Sequence, residues 1–389
     1  MMNLRHPQTV LVAIVVAQFL CTSLWFAGNG VLDGLIRDFA LPHTVLGHLT
    51  SAIQLGFISG TLIFALVRIA DRFVPSYVFM FSAFAGAIAN VAGIYDGNTM
   101  ATLLILRFTT GFFLAGIYPV GMKIAADYYD KGLGKALGYL VGALVVGTAL
   151  PHLLRSVGSE VDWKMVLIWI SALAMIGGLI IGLLVGNGPF RKHGQGMRLS
   201  EVFSPFRIAE FRKAAFGYFG HMWELYAFWA FVPVAITLMH VQQYTYDVSL
   251  LAFFVIAIGG LGCVLNGYLS RHITTEKAAI ITLAISGICC LFSPIVFQHA
   301  SHTMAAVFLL IWGFTVVADS PMFSTLVALK APPASRGTAL TIVTCIGFAI
   351  TIVSIQLLNW LNERIDPTYV FLFLAPGPVA GLIAMLKRK

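Results

Sequence analysis

The sequence predicts an all-α polytopic membrane protein with twelve transmembrane helices in two pseudo-symmetric six-helix bundles. Composition, segmentation and internal repetition carry that prediction. Of 389 residues, 59% are hydrophobic and 10% charged, with a mean hydropathy of +0.90. A water-soluble domain carries about 25% charged residues, so a soluble enzyme is excluded. A span of about 20 residues with its loop occupies roughly 30 to 35 positions, which leaves room for about eleven to thirteen spans and almost nothing else.

The apolar stretches, bounded by charged or Gly/Pro clusters, lie near 9–36, 44–67, 77–94, 99–126, 135–157 and 163–186, then near 213–240, 247–269, 277–297, 303–329, 337–360 and 368–386. The first runs too long without an A-x-A site to read as a cleaved signal peptide, so it is expected to stay as the first helix. Lys and Arg concentrate in loops that are not translocated. With the N-terminus inside, most basic residues fall on the cytoplasmic side, and Arg37, Arg155, Lys164 and Arg364 lie opposite. Both termini are then cytoplasmic, and the net charge of +8 is a topology signal that needs no nucleic-acid partner. Cys21, Cys263, Cys289, Cys290 and Cys345 all fall in apolar segments without metal-ligand spacing, so free buried thiols are expected. The short outer loops without an N-x-S/T sequon fit a bacterial inner membrane.

The polar stretch around Pro189, Arg191, Lys192, Gly194, Arg198 and Pro205 sits at the midpoint of the chain. It predicts a six-helix bundle over 1–186, a cytoplasmic linker over 187–212 and a second bundle over 213–389. At an offset of about 203, Gly111, Pro119, Gly134, Ala136, Leu137 and Thr148 meet Gly313, Pro321, Gly337, Ala339, Leu340 and Thr351. A nearly constant offset across two helices and a loop points to internal duplication, and parallel repeats mark transporters.

The architecture resembles the major facilitator superfamily over nearly the whole chain. In the loop after helix two, Val67-Arg-Ile-Ala-Asp71-Arg72-Phe-Val-Pro75-Ser76 keeps the Asp-Arg pair of the family's G-x-x-x-D-R-x-G-R-K motif, without its Gly and its trailing Gly-Arg-Lys. Leu106-Arg107-Phe-Thr-Thr-Gly111 is similar to the R-x-x-x-G pattern of helix four, whose Arg the family associates with proton-coupled movement. The antiport signature of helix five is incomplete, because no Gly precedes Pro151, so antiport is not inferred. Nitrate-type members place Arg on helices two and eight; neither segment has one here, which argues against a small inorganic anion.

A charge at the bilayer centre costs from about 2.5 to over 10 kcal/mol, so intramembrane ions are rare and nominate function. Glu224 lies eleven residues beyond Lys213, and Asp319 lies eleven before Lys330. At 1.5 Å per residue both reach ~16 Å of depth, near the midplane. They fall on helices seven and ten, which line the central cavity in the resembled fold. A carboxyl in a partly dry cavity can alternate between neutral and ionised, which suits proton coupling. His221, one turn before Glu224, could join it as a relay or simply satisfy it. Arg107, in the outer half of helix four, could bind an anionic group or repel a proton from a nearby acid; otherwise it pairs with a helix-one carbonyl or with Asp33.

Helix one carries a polar stripe, Gln18, Thr22, Trp25, Asn29 and Asp33, at three- or four-residue spacing, as on a helix face that meets water or substrate. Asp33 near the outer mouth also reads as a solvated carboxylate. Gln54 on helix two, with Trp223 and Tyr226 on helix seven, completes the expected substrate cavity, although small polar residues and aromatics also serve packing. Near the inner membrane face, Asp71, Arg72, Lys123 and Asp127 form a candidate charge latch or ordinary loop ion pairs.

No phosphate loop surrounds Gly134-Lys135, so ATP coupling is rejected. No H-E-x-x-H and no acid/His cluster beyond His221 and Glu224 supports a membrane enzyme. The expected function is a proton-coupled secondary transporter that moves a small organic solute by alternating access, held near Glu224, Asp319 and the helix-one stripe. The alternatives are a transporter-like membrane sensor or an uncoupled facilitator. Expected partners are the substrate, protons and the lipid bilayer, with no cofactor and no metal, and the chain is read as a monomer.

Overall fold

A computed structural model of the chain describes residues 6–129, 133–158, 161–191, 203–238, 247–332 and 335–387. It is all helical, with no strand among the described residues. The middle of the expected linker, 192–202, lies outside them, as does Lys131. Residue contacts divide the chain into two compact units, Met1–Met197 and Arg198–Lys389.

In the first unit, α1 (Pro7–Thr22), α2 (Ala27–Gly30) and α3 (Leu32–Phe39) make up the first apolar segment. They precede α4 (Val45–Val67), the short α5 (Ile69–Arg72), α6 (Pro75–Val91), α7 (Met100–Leu114), α8 (Tyr118–Tyr128), α9 (Leu133–Val157) and α10 (Trp163–Leu184). The second unit holds α11 (Ala209–Thr237), α12 (Val248–Ile273), α13 (Thr275–His299), α14 (His302–Ala318), α15 (Ser320–Lys330), α16 (Arg336–Leu361), a 3-10 helix (Pro367–Leu374) and α17 (Pro376–Leu386). Helix starts follow from side chains that accept orphan backbone N–H groups. Thr99 closes a capping box with Thr102 at α7, Asp247 caps α12, and Ser301 caps α14.

Ten helices among the described residues are long and apolar enough to cross a membrane, which makes this a multi-pass membrane protein. Two of the twelve expected spans fall short, for different reasons. The first is broken: α1 has only 16 residues and ends in a turn at Ser23–Phe26. The Gly28-Asn29-Gly30 run beyond that turn is built from weak helix formers. The seventh, α11, is long at 29 residues, but Tyr218, His221, Trp223, Glu224 and Tyr226 lower its hydropathy.

The fourth segment of each unit is interrupted at the same repeat position. Pro119 is the second residue of α8, which follows a turn, and Pro321 is the second residue of α15, which begins directly after Asp319. Proline supplies no N–H, so carbonyls of the preceding turn lose helical partners. Just upstream of these breaks the second and fourth segments pack backbone to backbone. A Cβ on Gly111 of α7 would strike the Ile53 carbonyl of α4, and a Cβ on Gly313 of α14 would strike the Val255 carbonyl of α12. The internal duplication read from sequence is therefore repeated as a packing solution.

Candidate functional site

Among the described residues, both units bury polar groups within their helices, and the first unit also carries a network of charges near helix ends. In the second unit, Glu224 on α11 is 1% exposed. Its Oε1 accepts from Trp312 Nε1 of α14 at 2.6 Å and from Cys290 Sγ of α13 at 3.3 Å. Its Oε2 accepts from Ser286 Oγ of α13 at 2.9 Å. An indole N–H can only donate, so at Oε1 the carboxyl group must accept. Trp312 is wedged against Phe228, with ring centroids 4.5 Å apart, and also meets Phe308 and Phe371. The carboxyl group thus ties three helices together inside an aromatic collar.

His221 turns elsewhere. Its Nδ1 lies 2.8 Å from Oδ1 of Asp319, with the two side chains 1% and 0% exposed. The expected His221–Glu224 relay is therefore corrected: one turn of helix aligns the pair along α11, but the helix break brings Asp319 to the imidazole. Tyr218 and Phe323 flank His221, each with its ring centroid 6.0 Å away. Carbonyls next to the break are held by α12, where Asn266 Nδ2 donates to Ala318 O at 2.8 Å and Cys263 Sγ to Val317 O at 3.2 Å. The contact is a close approach without hydrogen-bond geometry: among the described residues neither ring nitrogen of His221 and neither carboxyl oxygen of Asp319 has a hydrogen-bond partner.

Trp223, of the expected cavity set, has a partner within its own unit. Its Nε1 donates to Phe373 O at 3.1 Å, and its ring packs where a Cβ on Gly377 of α17 would sit. Tyr226 is buried and stacks on Trp229 and Phe348.

In the first unit, Arg107 of α7 is buried. Its Nη2 donates to the carbonyls of Trp25 and, at 3.1 Å, Leu24. Its Nη1 donates to Oδ1 of Asn90 on α6 at 3.3 Å. The break after α1 presents those two carbonyls, so Arg107 takes the helix-one pairing; Asp33 on α3 is exposed and belongs to neither buried cluster. The predicted continuous polar stripe is likewise interrupted. Gln18 and Thr22 lie on α1, Trp25 in the turn and Asn29 on α2. Thr22 donates to Gln18 O and Leu144 O, Asn29 to Thr50 Oγ1, and Trp25 packs on Phe57 with centroids 4.8 Å apart. The side-chain amides of Gln18 and Gln54 are buried, and among the described residues none of their polar atoms has a hydrogen-bond partner.

Near one end of the first-unit helices, Lys123 Nζ lies 3.1 Å from Asp71 Oδ1 and 3.9 Å from Asp127 Oδ1, while Arg72 is exposed. Arg191 joins this network: it donates to the carbonyls of Phe73 at 2.9 Å and Asp71 at 3.3 Å. All five cysteines are buried, and among the described residues none forms a disulfide.

Sequence reasoning missed Trp312, Ser286, Cys290, Asn90, Asn266 and Arg191. Ser286 and Cys290 stand four apart and share a face of α13, a readable signal. The others are lone polar residues whose partners are distant in sequence.

Among the described residues no group of His, Cys, Asp and Glu could hold a metal ion. The family model of the Major Facilitator Superfamily matches residues 14–355. The chain is 30% identical over 158 residues to the efflux pump FUBT of Fusarium oxysporum, covering 39% of this chain and 26% of that protein. It is 24% identical over 170 residues to the putative metabolite transport protein YyaJ of Bacillus subtilis (strain 168), covering 41% and 36%. The chain thus spans only about a quarter to a third of the length of these curated relatives. Among solved structures, the nucleoside transporter NupG superposes with a TM-score of 0.73 at 15% identity, covering 97% of this chain and 100% of the other. A bacterial homolog of the human lysosomal transporter Spinster gives 0.67 at 19% identity, covering 98% and 95%. At such identities the likeness is one of fold.

Proposed function

Because the chain belongs to the Major Facilitator Superfamily, we propose that it is a secondary active transporter that carries a small organic solute across a bacterial inner membrane by alternating access, coupled to protons through His221 and Asp319. Its termini are cytoplasmic in this reading, on the strength of the Lys and Arg distribution.

The observation that carries the coupling is the buried acid–base contact of 2.8 Å at the break between α14 and α15. An imidazole and a carboxyl group this close can pass a proton between them, and the atoms turned away from the contact, His221 Nε2 and Asp319 Oδ2, are without a partner among the described residues and can exchange it. Tyr218 and Phe323 flank the imidazole, Cys263 and Asn266 hold the two carbonyls before Asp319, and Glu224 follows one turn later on α11; none of these is a cation that would hold Asp319 permanently ionised. Glu224 itself, with three donors on its two oxygens, is the helix anchor in this reading.

The test is uptake by proteoliposomes. His221→Gln and Asp319→Asn are expected to abolish accumulation driven by a pH gradient, by at least tenfold, while solute exchange at equal pH persists. Driven uptake that survives both substitutions rules out the pair as the coupling site.

A further inference from the structure

Arg107 brings a full charge into the interior of the first unit, where it is 7% exposed, and the groups that hold it are neutral. Nη2 is used on the carbonyls of Leu24 and Trp25, and Nη1 on the amide oxygen of Asn90. Among the described residues none of its partners is a carboxylate, and its buried Nε–H has no hydrogen-bond partner. One donor and one charge are left unmatched.

Arg107 also borders a cavity of about 20 Å³ within the first unit, lined besides by Gly28 and Asn90 and otherwise by leucine, alanine and glycine. A Cβ on Gly28 would stand 3.4 Å from Nε and 3.7 Å from Cδ of Arg107, so the space beside that nitrogen exists because residue 28 has no side chain. The donors of Asn90 are turned away from the arginine: Nδ2 donates to Ser171 Oγ at 3.0 Å and to Leu167 O at 3.4 Å. The polar group left to the cavity is the Nε–H.

Such a volume holds a single water-sized particle. A water would satisfy the N–H, whereas a monatomic anion satisfies the N–H and the charge together, and an uncompensated buried charge costs several kcal/mol. An oxyanion is too large, and it would meet one donor where its oxygens need several. We propose that the cavity beside Arg107 is a chloride site, in which one chloride ion accepts from the Arg107 Nε–H and balances its charge. The ion is a resident counter-ion that fixes the guanidinium on the carbonyls at the break after α1; it is not the carried solute, and the inference does not rest on the transporter reading.

Melting of the purified full chain in nanodiscs tests this in sodium chloride, sodium bromide and sodium gluconate at one ionic strength, which keeps screening equal. Chloride and bromide are expected to raise the melting temperature by about 2 °C or more over gluconate, an anion too large for the cavity, with a saturable dependence on concentration. Gly28→Ala places a methyl group in the cavity at ordinary contact distance from Arg107, so it is expected to fold and to lose the halide shift. Crystals of the parent grown in bromide are expected to show an anomalous peak beside Arg107 Nε, and that map decides alone if Gly28→Ala does not fold. The proposal is overturned if the parent melts alike in all three salts, if folded Gly28→Ala keeps the full halide shift, or if the bromide crystals show water alone in the cavity.

Discussion

The first unit buries a cation on its fourth segment, Arg107, and surrounds it with acceptors from the first and third: the carbonyls of Leu24 and Trp25 and the amide oxygen of Asn90. The second unit buries a carboxyl group on its first segment, Glu224, and surrounds it with donors from the third and fourth: Ser286, Cys290 and Trp312. The same trio of helices is cross-linked in both, with donor and acceptor roles reversed. Duplicated halves therefore conserve the need for a polar tie among these segments and leave free which helix supplies the ionisable group. The contrast at Gln18 and His221, one repeat offset apart, is of another kind, since the position carries a neutral amide in one unit and a titratable ring in the other.

The largest expected effect is at Arg107. Arg107→Leu would leave two carbonyls and one amide oxygen buried without a donor, costing about 3 kcal/mol, read as a large drop in melting temperature. Arg107→Lys should recover part of the loss, because an ammonium cannot span acceptors on two helices as a planar guanidinium does. If Arg107→Leu melts like the parent, Arg107 is not a tie and the comparison fails.

Glu224→Leu strands the Trp312 indole N–H and two weaker donors, a loss of about 2 kcal/mol. Glu224→Gln keeps an acceptor for Trp312 and should retain driven uptake within about twofold. A coupling defect as deep as that of Asp319→Asn would make Glu224 a proton carrier and break the symmetry drawn between the two clusters.

A small effect is expected outside the spans. Asp366 accepts from the backbone N–H and hydroxyl of Thr368, which caps the 3-10 helix Pro367–Leu374 and holds the Asp366 carboxyl below its ordinary range. A depressed carboxyl contributes stability above its unfolded pKa and loses it as pH falls through the folded one. Asp366→Ala should melt slightly lower at neutral pH and match the parent in strong acid; a difference that persists in acid would locate the effect outside the cap.

Much of the candidate site could be read from the chain because ions are scarce in membrane segments. Arg107, Glu224 and Asp319 stood out for that reason, and all three are buried. Their partners could not be read in the same way. His221 shares a face with Glu224 by helical spacing, yet Asp319, 98 positions later, is its contact. Trp312 and Asn90 read as one more aromatic and one more polar residue in apolar runs until a second helix brings a charge to them.

By itself, the sequence determined that this chain resides in a membrane, where its spans begin and end within a few residues, and which few ions lie deep within them. Those properties follow from transfer between water and hydrocarbon, a local sum over side chains. Only the tertiary structure decided that the first span breaks after Thr22, that Arg107 takes up carbonyls beside that break, that His221 meets Asp319, and that Gln18 and Gln54 have no hydrogen-bond partner among the described residues. Each depends on which face of one helix meets which face of another, and hydrophobic periodicity does not encode that choice when every face is apolar.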